Sequence, residues 1–278
     1  MAKRKHLPDL IVKSRPTPDE TGCVVNVTPE TAGWAYVGFA VYRLAEGQTL
    51  RYDTADREAC LVFVAGRAAV RAGDAAWPEV GERMSPFDGP PHAVYVPPRT
   101  AVHLEALTDV EVAVCTAPGR GTHPPRRIGP DDVAVEVRGE GVTERRIHHI
   151  LPETAPADSL LVVEVLTPAG HWSSWPPHKH DRHDPPRETA LEETYYYKIR
   201  PQQGFAIQRV YTADGALDAT LTVRDGETVL VPCGYHPVAA PPGSDVYYLN
   251  VMAGPVRQWR IRFDPDYEGL LEGSMPRE

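Results

Sequence analysis

The 278-residue chain is 42% apolar, enough to bury a core in two ordinary domains or in one large β architecture. A net charge of −9 and a pI near 5.7 argue against nucleic acid or an anionic membrane surface as a partner, and no apolar run approaches a membrane span. The 29 prolines and 22 glycines favour short strands and turns over long helices.

In chain order, the basic start MAKRKHLPDLIVK lacks the apolar stretch of a signal peptide, and Cys23, Cys60, Cys115 and Cys233 stand singly, without metal spacing. Reduced thiols of a cytoplasmic protein are the expectation. Short β-rich runs follow: CVVNV, WAYVGFAVYRL, ACLVFVAGRAAVRA, HAVYVP, AVHLEAL and VEVAVCTAP. Residues 123–144 are rich in Pro, Gly and charge and read as a connection. Then come VAVEVRG, SLLVVEVLTP, TYYYKI, FAIQRVYT, LTVRDGETVLVP and DVYYLNVMAG. Helices are expected only as short pieces, for instance over 264–271. VYVPPRTAVHLEA (94–106) and VLVPCGYHPVAA (229–240) share the order strand, proline, turn, histidine, strand at a separation near half the chain. The economical model is all-β, with two barrels related by duplication: 1–130 without metal ligands and 131–278 with them. In the first half, His92 and His103 are expected to be incidental or structural.

The candidate site opens in GHWSSWPPHKHDRHDPPRETALEETYYY, residues 170–197. Pro176 and Pro177 stop any helix, so His178 and His180 sit on extended chain. Residues i and i+2 of such chain face the same way, about 6–7 Å apart, and both imidazoles can close on one cation. Glu193 on a neighbouring strand and His236 in the turn VPCGYHP would complete a set of three nitrogens and one carboxylate. That set suits a divalent first-row metal with positions open to substrate. If Glu193 faces the metal, Tyr195 and Tyr197 share its face, while Glu192 and Tyr196 point away.

The same residues resemble the two cupin signatures. The first is carried by Gly170, His178, His180, Glu193 and Gly204, the second by Gly226, Pro232, Gly234 and His236. The 12 residues between His180 and Glu193 exceed the usual spacing, and the turn before His236 is shortened. WSSWPPHKHD, LEETYYYK, QGFAIQRVYT, VLVPCGYHPV and YYLNVMAGPVRQW resemble the bicupin family of 5-deoxy-glucuronate and 5-keto-4-deoxyuronate isomerases. The resemblance is dense over 138–266 and looser before it. It implies two jelly-roll cupin barrels, an aldose–ketose isomerisation in inositol catabolism, and His178, His180, Glu193 and His236 as ligands of one divalent ion, zinc or manganese.

Such an isomerisation moves a hydrogen between adjacent carbons while charge develops on oxygen. A chelating cation stabilises that charge, and a nearby carboxylate or tyrosine can move the proton. Tyr195, Tyr197 and Tyr248 are the candidates, with Asn250 on the face of Tyr248. The anionic sugar-acid substrate needs a cation or amide: Arg209, Arg182 and Gln208 are the candidates. Gln208 and Arg209 lie on opposite strand faces, so only one lines the barrel. Lys179 should point away from the ligands. The 181–191 loop is a candidate lid or an ordinary turn, with His183 in solvent. Competing readings are another metal cupin enzyme such as a dioxygenase, a sugar-binding cupin without turnover, and a storage bicupin. Homo-oligomers through sheet edges are a further expectation.

Overall fold

The computed structural model describes residues 9–270, so the basic segment 1–8 and Leu271 at the end of the expected helix lie outside the described residues. Strands dominate. The helical pieces are one turn at Pro29–Ala32 and short 3₁₀ segments, among them Pro265–Leu270.

Each half pairs a large antiparallel sheet with a small one. In the first half, the large sheet runs Arg126–Ile128, His92–Val96, Arg57–Ala65, Val110–Pro118, Gly38–Leu44, Cys23–Val27. Its companion runs Thr49–Asp53, Ala101–Ala106, Ala68–Ala72, Ala75–Val80. In the second half, the large sheet runs Thr228–Val231, Glu192–Arg200, Asp245–Ala253, Leu161–Thr167, Arg145–Leu151, Ala134–Arg138. Its companion runs Trp172–Ser173, Val238–Ala239, Ala206–Tyr211, Asp218–Val223. The early strand Ile11–Val12 crosses over and pairs with Thr228–Val231 at the edge of the second large sheet. The segment read as a connection is partly strand, since Arg126–Ile128 and Ala134–Arg138 close opposite sheets.

Three apolar clusters follow from the alternation of strand side chains. Leu61 and Phe63 fill the first barrel, and Tyr195 and Tyr197 fill the second. The residues alternating with them, Cys60, Val62 and Tyr196, face the layer where the two large sheets pack back to back. Each large side chain buried this way contributes about 1.5–3 kcal/mol.

Carboxylates tie the halves together. Glu58, fully buried, accepts from the backbone N–H groups of Asp158, Ser159 and Leu160 at 2.6–2.7 Å. Glu192 accepts from those of Ala35, Tyr36 and Val37 at 2.6, 2.7 and 2.9 Å. Each acid therefore grips the segment leading into a strand of the opposite half. Between the sheets, Arg83 makes a bidentate pair with Glu164 at 2.8 Å, and Tyr247 and His148 complete that carboxylate's shell. Burial alone would raise the Glu164 carboxyl, but the Arg83 guanidinium holds it below the usual range.

Candidate metal centre

The turn before His236 is built on Gly234, whose φ of +86° favours glycine. A Cβ there would lie 2.3 Å from the Tyr211 carbonyl oxygen. With that close approach, Gly234 N–H donates to Asp181 Oδ2 at 2.8 Å, and its carbonyl accepts from His236 Nδ1 at 2.8 Å. The other imidazoles are held alike: His180 Nδ1 donates to Leu191 O at 3.1 Å and His178 Nδ1 to Pro176 O at 3.2 Å. A carbonyl can only accept, so these contacts put the proton of each neutral ring on Nδ1 and leave Nε2 as a bare lone pair.

Those lone pairs converge on Glu193. His180 Nε2 is 3.1 Å and His236 Nε2 is 3.2 Å from Glu193 Oε2, with all three side chains buried. Ligand atoms of His180, Glu193 and His236 lie within 4.8 Å of one another, close enough for one cation at about 2.0–2.2 Å from each. His178 stands beside this trio, its ring centroid 5.0 Å from that of His236 and 6.5 Å from that of His180. Buried lone pairs aimed at a carboxylate oxygen repel unless something positive sits among them. Among the described residues His236 Nε2 has no hydrogen-bond partner, so the donor set fits a divalent ion.

Titration separates the three rings. Burial pushes His178 and His236 down to about 3, helped at His178 by the charges of His180 and Arg145. Burial pulls His180 the same way, but its hydrogen bond to Glu193 outweighs that and raises it, so at this ring a proton competes with a cation for Nε2.

Tyr195 and Tyr248 bring their hydroxyls to Ser174 Oγ at 3.2 and 3.4 Å, and the Tyr195 ring lies 5.8 Å from His236. Burial raises both phenols, which therefore stay protonated. Ser174 itself holds φ +48°, a left-handed conformation costing about 1–3 kcal/mol in a non-glycine residue. Nothing in the sequence pattern singled it out. Asn250, opposite Tyr195 in the ladder, is buried with its Nδ2 unpartnered.

Several expectations need correcting. Gln208 faces inward and is fully buried, whereas Arg209 points out, paired with Asp218 at 2.9 Å and stacked 4.0 Å over the Tyr211 ring. Arg209 is therefore not a barrel-lining substrate contact. Gln208 accepts from the Tyr197 hydroxyl at 2.9 Å and donates to the His236 carbonyl at 3.4 Å. Its amide thus holds the ligand turn, and Tyr197 is tied into that support. Arg182 is exposed, and its backbone N–H donates to Glu188 at 3.0 Å. The 181–191 loop is no free lid, because buried Glu188 also takes Lys179 Nζ at 2.7 Å and Asp181 N–H at 2.9 Å. Lys179 and Glu192 both point away from the ligands, as alternation requires.

A His–Glu cluster inside one of two jelly-roll barrels defines the molecule as a bicupin, and bicupin oxalate decarboxylase shares its fold. The Lactobacillus farciminis enzyme in its formate complex superposes with a TM-score of 0.69 at 13% identity, over 98% of this chain and 92% of that one. The model of the KduI/IolB family matches residues 10–270, and the chain belongs to that family. It is 58% identical over 260 residues to the 5-deoxy-glucuronate isomerase of Geobacillus thermodenitrificans, covering 93% of this chain and 95% of that protein. The Bacillus subtilis (strain 168) protein of the same name is 43% identical over 251 residues, covering 90% and 93%. A crystal structure of an IolB-like protein from Salmonella typhimurium has a TM-score of 0.92 at 48% identity, over 95% of this chain and 99% of that one. The chain is an isomerase by class. No described helix is long and apolar enough to cross a membrane.

Proposed function

We propose that this chain converts 5-deoxy-glucuronate to 5-dehydro-2-deoxy-gluconate, an intramolecular aldose–ketose isomerisation of inositol catabolism in the cytoplasm. One divalent cation per chain, zinc or manganese, is held by His178, His180, Glu193 and His236. The observation that carries this reading is the convergence of two Nε2 lone pairs on one Glu193 oxygen, in a chain 58% identical to a 5-deoxy-glucuronate isomerase. When bound, the cation supplies Lewis acidity toward the oxygens of a hydroxy-aldehyde. The protein supplies the rest. Tyr195 and Tyr248 offer hydroxyls that meet at Ser174 beside the ligands, placed to donate to an oxygen that gains charge. Asn250 adds an unused amide donor on the same face. Gln208 and Gly234 hold the His236 turn in place.

The partner is a small anionic sugar acid; nucleic acid and membrane are not partners, and copies of the chain associate through sheet edges. The test is turnover by metal-quantified protein, without oxygen and in deuterated water. Isomerisation with deuterium uptake supports an enediol route. No conversion of 5-deoxy-glucuronate by metal-loaded protein ends the reading, and oxygen-dependent turnover replaces it with an oxygenase.

A further inference from the structure

A substrate carboxylate needs a positive partner in the second barrel, and the arginines suggested by the motif, Arg209 and Arg182, do not supply it. The structure assigns that role to Arg145, the first residue of the strand Arg145–Leu151. This rests on the isomerase reading above and deepens it by naming the acid end's anchor.

Arg145 is 6% exposed and shares a strand face with Ile147, which belongs to the second barrel's apolar cluster. Its Nη1 donates to Thr143 O and its Nη2 to Trp175 O, each at 3.0 Å. Two of five guanidinium N–H donors are thus used, both on neutral carbonyls, and among the described residues no carboxylate pairs with it. A buried, uncompensated guanidinium is costly unless an anion arrives. Arg257 shows the contrast: it too binds only carbonyls, but four bonds to Leu160, Glu153, Ala155 and Pro152 fill most of its donors. Arg257 is a structural cross-brace, whereas Arg145 keeps a free fork suited to bidentate carboxylate binding.

Its position is also right. Successive carbonyls serve the two functions: Trp175 O fixes Arg145, and Pro176 O orients the His178 ring. Ser174, next in the chain to Trp175, meets the Tyr195 and Tyr248 hydroxyls with its Oγ, so the same turn links Arg145 to the tyrosines. An aldehyde acid whose oxygens lie at the ligands and tyrosines would turn its carboxylate toward this arginine. Nothing in the sequence flags it, since it lies 33 residues before His178 in no motif.

The test compares wild type, Arg145→Gln and Arg145→Lys, all metal-loaded. Calorimetry measures binding of two probes, glucuronate and neutral glucose, and turnover of 5-deoxy-glucuronate is followed in parallel. Arg145→Gln is expected to weaken glucuronate binding about 10- to 100-fold, the range for a hydrogen-bonded charge, while leaving glucose binding and metal content unchanged. Arg145→Lys, a point charge without the fork, should recover part of that loss, and KM should rise more than kcat falls. The assignment is overturned if wild type does not prefer the acid, if the Gln variant retains that preference, or if both probes lose affinity equally. Wild type that prefers glucuronate through Arg145 yet does not turn over 5-deoxy-glucuronate would sink the isomerase reading and leave the anchor standing.

Discussion

The two barrels share a ladder register and differ in what they place on it. Glu193 pairs with Val231 and Met252; in the first barrel Ala59 holds the corresponding station, paired with Val96 and Thr116. His236 lies five residues beyond Val231, and five beyond Val96 stands Ala101, in a turn reading Pro-Pro-Arg-Thr-Ala. His103, which the repeated strings bring opposite His236, is two residues too late and pairs with Arg51 and Arg71 on the small sheet. Where the second barrel is lined by Tyr195, Tyr197, Tyr248 and Gln208, the first packs Leu61, Phe63, Val94 and Leu104. One scaffold thus yields a His–Glu cluster or a plain apolar core according to a handful of inward residues.

That contrast can be broken at its strongest point first. Glu193→Ala or His236→Ala should empty the site of metal and lower turnover about 10³-fold or more, since the cation is worth several kcal/mol to a developing oxyanion. Metal analysis beside kinetics checks this, and chelation should lower Tm because binding at 100 times Kd adds about 2.7 kcal/mol. The opposite graft should do harm: Ala59→Glu buries a charge with no ligands around it and costs several kcal/mol in urea unfolding, with no gain in metal.

Next in size is the bond between the halves. Arg83→Met strips buried Glu164 of its guanidinium and leaves only His148 and Tyr247 on it, costing about 3–5 kcal/mol. The same pair sets an acid limit. Because the folded carboxyl is held below its unfolded value near 4.3, its contribution is complete above that pH and fades as pH falls through the folded value. Acid titration of Tm should therefore show a step in wild type that Arg83→Met lacks. Glu58→Gln should cost about 1.5–3 kcal/mol with kcat unaltered, because its clamp holds the backbone of residues 158–160 and none of the candidate ligands. Smallest of all, Arg209→Ala should change stability by less than about 1 kcal/mol and leave KM unchanged, as expected for an exposed pair with Asp218. A KM increase would return Arg209 to the site.

Much of the second barrel was legible because metal ligation and strand alternation both write short, fixed spacings. His178 and His180 on extended chain, Glu193 entering a strand, and the inward phase of Tyr195 and Tyr197 all follow from a period of two. The phase of FAIQRVY was not readable, because apolar residues occupy both faces; only packing put Gln208 inside and Arg209 out. Asn250 was legible from its alternation with Tyr248, whereas Ser174 and Arg145 escaped for another reason. Their roles depend on strands distant in sequence meeting in the barrel, and a serine or an arginine carries no local signature of that.

Glu192 and Glu193 are chain neighbours with opposite errands: one seizes the backbone of residues 35–37 in the first half, the next faces the imidazoles. A candidate ligand is thereby gauged by its neighbour's grip on a different barrel, so the first half works as a jig for the second. On the proposed reading, cation capture becomes a proofreading step that rewards only molecules whose halves have already docked in register.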